Sequence, residues 1–295
     1  MTGLHVLPHW PALRAAQASD ARARLPFVID GLVVGSVARA HLAPLAAWPE
    51  AIAIDAAAVR LVVPSPMRDG VLAQINARLR LQGLVMGWRD ERFAVFDPTT
   101  RRVLAHIERA ASRFWGTLTL AAHCSGYLAD AAGRPTHLWI ARRSASKATD
   151  PGLFDNLVGG GVPAGQTPHE ALVREGWEEA GLTAAQMSLA RPGRVIRLQG
   201  DIAEGLQFED LHSYELALPA GTCPDNQDGE VERFDCLPIE QALALAASPT
   251  MTVDAALVTL DFALRHALLP AGEAAALAAA MAPLFVPPHL GDQMA

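Results

Sequence analysis

Residues 159–182 of this 295-residue chain read Gly159-Gly-Gly-Val-Pro-Ala-Gly-Gln-Thr-Pro-His-Glu-Ala-Leu-Val-Arg-Glu-Gly-Trp-Glu-Glu-Ala-Gly-Leu182, and this stretch decides its fold. Its second half predicts a helix over Pro168–Ala180 with a signal at each end. Thr167 is a good N-cap residue, Pro168 suits the first turn, and Glu170 completes a capping-box pattern. Gly181 is a natural residue just past the end of a helix.

Three glutamates of this helix, Glu175, Glu178 and Glu179, are spaced so that they share one face. They repel one another, and they lie near the C-terminal end, where the helix dipole disfavours negative charge. A divalent cation would offset both effects, and oxygen ligands grouped in this way suit Mg²⁺ or Mn²⁺. The alternative interpretation is a solvated acidic face on which Arg174 pairs with Glu178.

The opposite face of the helix is expected to pack on a sheet through Val173, Trp177 and Ala180. Before the helix, three consecutive glycines at 159–161 form a loop whose backbone can approach a ligand or the glutamates closely. A glycine-rich loop alone is a weak signal, but loop, caps and glutamates at fixed spacing reinforce one another.

The stretch resembles the signature of the Nudix hydrolase family. The positions that match at the family's spacing are Gly160, Arg174, Glu175, Glu178, Glu179, Gly181 and Leu182. Two positions depart from the pattern, because Gln166 stands where the family has a glutamate and Gly176 where it has an apolar residue. Gln166 keeps an oxygen but loses a charge, so we expect one metal ion to bind less tightly. Gly176 costs up to about 1 kcal/mol of helix propensity.

This resemblance implies an α+β protein with a Nudix α/β/α sandwich and a mixed sheet. It also implies hydrolysis of an organic diphosphate to a monophosphate and phosphate with Mg²⁺ or Mn²⁺. The metal ligands would then be Glu175, Glu178, Glu179 and Gly160. Arg174 would join Glu175 and Glu179 in the catalytic set, bracing the loop through a carboxylate.

The substrate would contact Lys147, Arg143, Gly160 and Gly161, since charge-assisted hydrogen bonds to phosphate are strong. The catalytic base stays open, and the candidate acids are Glu179, Glu209, Glu230 and Glu232. Trp115 and Trp139 could stack on a ring of the substrate, although a lone tryptophan is more often a core residue.

A narrower resemblance involves the segment from Arg142 to Lys147, the segment 155–161, and the segments 26–31 and 108–116. These look like a Nudix subfamily with an N-terminal domain of uncharacterised role, related to the Nudix portion of fungal thiamine pyrophosphokinases. Plant and yeast enzymes that hydrolyse damaged thiamine diphosphate are similar, which implies an oxidised thiamine diphosphate as substrate. We therefore expect a smaller α/β domain over 1–115, selecting substrate or dimerising, and a Nudix domain over 116–295.

Local patterns predict the elements of the N-terminal domain. We expect a strand, turn and strand over 27–35, a strand over 58–63 and a helix over 69–84. A hairpin should form around Asp97-Pro-Thr-Thr. The first twenty-five residues show no clear apolar face and are expected to form a helix or a loose arm.

Composition limits the partners. Hydrophobic residues make up 51% of the chain and the net charge is −7, which argues against disorder and against non-specific binding of nucleic acid or anionic membranes. Three scattered cysteines predict free thiols. The N-terminus lacks the pattern of a signal peptide, so we expect a cytoplasmic protein acting on a small molecule. A homodimer is expected by analogy with the family.

Two other functions remain open at this stage. Because Gln166 replaces a family glutamate, the chain could be a catalytically weak or inactive Nudix-fold protein that binds a ligand or regulates. An isomerase on the same fold would need a suitably placed cysteine and a further acid, and no cysteine here stands in an evident context for that role.

Overall fold

The computed structural model describes residues 10–287. Within them, the prediction for the N-terminal segment is confirmed as a short helix, while residues 1–9 lie outside the described part. The elements of the first half are α1 (Pro11–Ala15), β1 (Arg24–Ile29), β2 (Leu32–Ala38), β3 (Ile52–Ile54), β4 (Val59–Leu61), α2 (Arg68–Leu81), β5 (Arg92–Phe96), β6 (Val103–Glu108) and α3 (Ala111–Trp115).

The N-terminal half contains a small mixed sheet in the order β2-β1-β4-β3, and β5 and β6 form a separate hairpin. Strands β1 and β4 are parallel, whereas the other pairs are antiparallel. The sheet, α2 and the hairpin enclose one apolar core. Trp115 is 0% exposed in this core and donates from Nε1 to Asn76 Oδ1 at 2.8 Å. The suggestion that Trp115 stacks on a ligand is therefore wrong.

The second half contains longer strands and most of the helices. Its elements are β7 (Thr119–Ala129), β8 (Pro135–Arg143), β9 (Phe154–Asp155), β10 (Val158–Gly161), α4 (Pro168–Ala180), α5 (Ala184–Met187), β11 (Arg191–Ile202), β12 (Gly205–Ala217), β13 (Val231–Pro238), α6 (Ile239–Ala246), α7 (Val253–Arg265) and α8 (Ala271–Met281).

These strands form a seven-stranded mixed sheet. Its main order is β11-β12-β7-β8-β13, with β10 paired to β7 and β9 paired to β8. Strands β7 and β12 are parallel. Alternate residues of β7 point to opposite faces, so Leu120 and Ala122 enter the core beneath α4 while Ala121 enters the core beneath α7. The predicted mixed sheet with helices on both faces is confirmed.

The two halves share packing across the predicted boundary. Ala12 and Leu13 of α1 lie in the core formed with α7, although they fall within the range 1–115 assigned to the N-terminal domain. Ala94 and Phe96 of β5 pack in the core beneath α4. Since β5 contributes to both cores, it joins the two halves. No helix in residues 10–287 is long and apolar enough to cross a membrane.

Candidate active site

A cavity of about 460 Å³ lies where the two halves of the molecule meet. The N-terminal half contributes lining residues from the β5–β6 hairpin and its surroundings, namely Arg89, Glu91, Phe93, Arg109 and Arg113. The second half contributes the glycines of β10, one side of α4, and residues following β8 and β12. The lining includes Lys147, Arg143, Gly160, Gly161, Arg174, Glu175, Glu178 and Glu179, so the structure brings together these eight of the residues that the sequence proposed for metal, substrate and catalysis.

Helix α4 has the ends that its sequence predicts. Thr167 Oγ1 accepts from the Glu170 amide and the Glu170 side chain accepts from the Thr167 amide, which is a complete capping box. Gly181 ends the helix with a φ of 64°, a left-handed conformation that favours glycine. The helix therefore starts and stops at fixed points, which sets the rotation of its glutamates.

The orientation of α4 corrects one prediction. Trp177 is 53% exposed, whereas Glu175 and Glu179 are only 9% and 4% exposed. The helix thus packs on β10 through its glutamate side, and Trp177 faces outward. The prediction is wrong for Trp177 only, because Ala180 is 1% exposed and Val173 packs against the same core, as expected. The side that meets β10 also carries Glu175 and Glu179, whose buried carboxylates have cationic partners.

Two glycines allow this close packing. A Cβ at Gly160 would lie 2.5 Å from the Glu175 Cδ, so the bare backbone of β10 leaves room for the carboxylate. A Cβ at Gly176 would lie 2.6 Å from the Met187 Cγ, so Gly176 lets α5 pack against α4. The departure from the family pattern at Gly176 therefore has a packing explanation.

Burial raises the pKa values of the two buried glutamates of α4, Glu175 and Glu179. Burial raises the pKa of Glu175 to about 7, and the Glu179 carboxylate adds to this rise, while Arg174 and Arg109 oppose it. Burial also raises the pKa of Glu179, against the opposing charge of Lys147. The Gly159 amide donates to Glu179 Oε2 at 2.9 Å, which partly satisfies that carboxylate.

Cationic side chains neutralise these carboxylates. Arg174 donates to Glu175 Oε1 at 2.9 Å and to Glu178 Oε2 at 2.7 Å. The expected pair between Arg174 and Glu178 is therefore present, but both partners of Arg174 belong to α4 itself rather than to the glycine loop. The Lys147 ammonium is buried between Glu179 at 3.0 Å and Glu230 at 2.6 Å.

Arg143 lines the cavity, but its side-chain donors all form hydrogen bonds to other residues of the protein. Its Nη1 donates to Asp155 Oδ2 at 2.6 Å, and its Nε and Nη2 donate to the backbone carbonyls of Thr149 and Asp150. Although burial opposes it, the Arg143 guanidinium holds the pKa of Asp155 below its usual value. In this state Arg143 braces the segment before β9.

The donor set fits a hard divalent cation by its chemistry. Within residues 10–287, no group of three or more histidine, cysteine, aspartate and glutamate side chains is already gathered around one point as a metal site. However, Glu175 and Glu179 are buried like charges, and Arg174 and Lys147 supply the positive charge beside them. Carboxylates and the Gly160 carbonyl are the oxygen ligands that Mg²⁺ and Mn²⁺ prefer, and an ion would replace these counter-charges.

The remaining candidate bases differ in position. Glu209 and Glu230 line the cavity, whereas Glu232 is exposed, pairs with Arg233 and is not among the described lining residues. Although burial opposes it, Lys147 and Arg89 lower the pKa of Glu230 to about 2. Gln166 and Trp139 are likewise not among the lining residues in 10–287.

Sequence reasoning missed several polar lining residues, among them Asp254, Arg89 and Arg109. Gln207 Nε2 bridges Glu209 at 3.1 Å and Asp254 at 3.1 Å. Burial, and then the neighbouring Glu209 carboxylate, raises the pKa of Asp254 to about 7. The sequence signal at Asp254 was only that of a helix start after Thr252, and no pattern linked the two arginines to the site.

Comparisons with known proteins agree with this geometry. Residues 121–256 match the model of the NUDIX domain, and residues 6–119 match a domain of unknown function, DUF4743. The chain is similar to Nudix hydrolase 24, chloroplastic, of Arabidopsis thaliana, with 30% identity over 251 residues, covering 83% of this chain and 68% of the relative.

Two further similarities extend the comparison. Nudix hydrolase 20, chloroplastic, of Arabidopsis thaliana is 36% identical over 205 residues, covering 68% of this chain, and the chain spans only 54% of that relative's length. The crystal structure of DR0079 from Deinococcus radiodurans is 26% identical, with a TM-score of 0.45, covering 57% of this chain and 97% of that one.

Proposed function

Since the chain belongs to the Nudix hydrolase family and is a pyrophosphohydrolase, we propose that it hydrolyses an organic diphosphate to a monophosphate and phosphate with Mg²⁺ or Mn²⁺. Members of the family generally use divalent metal ions. The observation behind this proposal is the buried pair Glu175 and Glu179, held against the glycine backbone of β10 inside the cavity. We further propose that the substrate is an oxidised thiamine diphosphate.

The α4 glutamates would hold the ion. Glu175, Glu178 and Glu179, together with the Gly160 carbonyl, are the proposed ligands. When bound, the ion would neutralise charge on the diphosphate and lower the pKa of a water molecule. The chain's own residues would do the rest, because the cations Arg174 and Lys147 already lie beside these carboxylates. Lys147 would then bind a phosphate oxygen.

The other proposed substrate contacts act differently. The backbone of Gly160 and Gly161 would let the diphosphate approach β10 closely, since no side chain intervenes. Arg143 would position Asp155 and the segment around Lys147 and would contact phosphate only if it gave up one of its present partners. Among the candidate bases, Glu179 and Glu209 are favoured over Glu230, because a carboxylate with a pKa of about 2 accepts a proton poorly.

Two features support the thiamine proposal. The cavity exceeds what a diphosphate alone would fill, so there is room for an organic group. Its lining also includes the carboxyls of Glu209 and Asp254, which could accept hydrogen bonds from a donor-bearing or cationic ring. The similarity to the plant hydrolases covers most of the chain, N-terminal half included. A homodimer and a cytoplasmic location remain predictions.

The test is phosphate and monophosphate release with Mg²⁺ across a panel of thiamine diphosphate, its oxo and oxy forms, ADP-ribose, NADH and a dinucleoside polyphosphate. We expect selective turnover of the oxidised thiamine forms, reduced about 10²–10⁴-fold in Glu179→Gln. Glu232→Gln is the matched control and should keep full activity. Equal turnover by wild type and Glu179→Gln would contradict the assignment of α4, and turnover of another diphosphate alone would contradict the thiamine proposal.

A further inference from the structure

The N-terminal half of the molecule, which matches a domain of unknown function, forms one wall of the active-site cavity. The β5–β6 hairpin is fixed to the glycine loop, since the Ala164 amide donates to the Arg92 carbonyl at 2.8 Å. Phe93 of this hairpin lies directly against β10, where a Cβ at Gly161 would be 2.7 Å from the Phe93 Cζ. The wall is therefore held in place close to the proposed diphosphate site.

Arg109 is the residue of this wall whose guanidinium adjoins the glycine backbone of β10. A Cβ at Gly161 would lie 3.3 Å from Arg109 Nη2, and the Arg109 charge is one of those that lower the pKa of Glu175. Its backbone amide donates to the Glu91 carbonyl at 2.8 Å, and its guanidinium lies 5.5 Å from the centre of the Phe93 ring. The side chain is thus oriented from both ends.

Most N–H donors of the Arg109 guanidinium have no hydrogen-bond acceptor within residues 10–287. Its Nη1 donates to Glu91 Oε2 at 2.9 Å, and in residues 10–287 its Nε and Nη2 have no hydrogen-bond acceptor. A guanidinium offers five N–H donors in a planar fork that matches phosphate oxygens. Arg143 and Arg174, by contrast, have both Nη atoms engaged by carboxylates or carbonyls.

We propose that Arg109 binds the diphosphate of the substrate, so that the N-terminal domain completes the active site across from α4. This inference deepens the proposed function and rests on it for the identity of the diphosphate site. A diphosphate bound at the β10 backbone beside Glu175 would lie within reach of Arg109, since the guanidinium adjoins Gly161 and the Glu175 carboxylate adjoins Gly160. Phe93 is then a positioning residue for the guanidinium, whereas Glu91 only engages one of its donors.

The test measures binding of methylenediphosphonate, a diphosphate that is not hydrolysed, by calorimetry with Mg²⁺ present, alongside KM and kcat for the panel. Arg109→Gln removes the charge and the guanidinium but keeps a polar side chain, and it should weaken binding and raise KM about 10–100-fold with kcat changed less than about threefold. Arg109→Lys should recover part of the affinity. Arg92→Ala is the matched control on the same hairpin, because Arg92 is 69% exposed, pairs with Asp69 and should bind like wild type.

Glu91→Gln separates substrate binding from a bracing role. It removes the ion pair of Arg109 but frees another donor, so binding should be equal to or tighter than that of wild type. Binding within twofold of wild type in Arg109→Gln, or equal losses in Glu91→Gln and Arg109→Gln, would overturn the inference. If wild type hydrolyses nothing in the panel yet loses methylenediphosphonate binding in Arg109→Gln, the proposed function fails and this inference stands.

Discussion

The two walls of the cavity are built in different ways. The acidic wall comes from one helix, where three glutamates within two turns share a side because of helical geometry. The basic wall gathers Arg89 and Arg109 from the N-terminal half, far along the chain from the glutamates they face. The comparison teaches that local spacing can encode the chemistry of a site, while the opposing wall depends on how separate elements pack.

Two consecutive glycines of β10 face these two walls separately. Gly160 adjoins Glu175 of the acidic wall, and Gly161 adjoins Phe93 and Arg109 of the basic wall. Neither glycine has a positive φ, so a methyl group at either position tests space rather than backbone conformation. Adjacent Gly→Ala substitutions can therefore perturb one wall at a time.

The largest expected effect is that of Gly160→Ala on activity. The new Cβ would lie 2.5 Å from the Glu175 Cδ and must displace that carboxylate. Because a small misplacement of a catalytic group can cost about 10²-fold, we expect kcat/KM to fall about 30–100-fold. Stability should change little, since the atom that moves is the end of a flexible side chain. Steady-state kinetics and thermal unfolding measure the two effects.

The control for Gly160→Ala is Gly70→Ala in α2, where a Cβ would have no atom within 4 Å. This variant should keep full activity and gain about 0.5–1 kcal/mol of stability. Unchanged kcat/KM in Gly160→Ala would mean that the Glu175 carboxylate does not need its present position.

Gly161→Ala should affect the basic wall with a smaller loss. The Cβ would lie 2.7 Å from the Phe93 Cζ, which is packed on the hairpin, so overpacking should cost about 1–2 kcal/mol of unfolding free energy. KM should rise several-fold, because Arg109 shifts with Phe93, and kcat should stay near the wild-type value. Urea unfolding and kinetics on the same preparations give both numbers.

A second substitution, at Phe93, tests whether overpacking against its ring causes the loss of stability in Gly161→Ala. Phe93→Leu removes the atoms in conflict, so the double variant should be more stable than the sum of the two single losses predicts. Additive losses would show that the methyl group and the Phe93 ring do not compete for the same space.

The acidic wall could largely be predicted from the sequence, whereas the basic wall could not. The limits of α4, its capping box and the shared face of its glutamates depend on neighbours a few residues apart, and the structure confirms them. The outward direction of Trp177 was missed, because it depends on which side of α4 meets β10 rather than on the composition of the helix. Asp254 and Arg109 were missed since only tertiary packing brings them to the cavity.

Asp254, another residue that lines the cavity, offers a smaller, pH-dependent test. Burial and the Glu209 charge raise the pKa of Asp254 to about 7, above its usual value of 3.8, so the folded protein holds this proton more tightly than the unfolded chain. This contribution to stability is full below pH about 4, declines as the pH rises to about 7, and is lost above that. We expect the wild type to lose about 2–3 kcal/mol more than Asp254→Asn between pH 5 and pH 8.

Urea unfolding in EDTA at several pH values measures this difference. Asp235→Asn is the control, since Asp235 lies on β13, pairs with Arg233 and should leave the pH dependence as it is in wild type. Parallel stability curves for wild type and Asp254→Asn would mean that Asp254 is ionised throughout this range.

The smallest expected effect concerns the outer side of α4, where sequence and structure disagree. Trp177 is 53% exposed, so Trp177→Ala should cost less than about 1 kcal/mol of unfolding free energy and leave kcat/KM unchanged. Trp115→Ala leaves a cavity at a fully buried site in the N-terminal core and should lower the unfolding free energy by about 3–5 kcal/mol. This variant shows what the loss of a buried tryptophan costs. A cost for Trp177→Ala close to that of Trp115→Ala would mean that α4 is rotated, with its glutamates turned to solvent and the acidic wall absent. A small cost supports the rotation that places Glu175 and Glu179 opposite Arg109, on which both proposals depend.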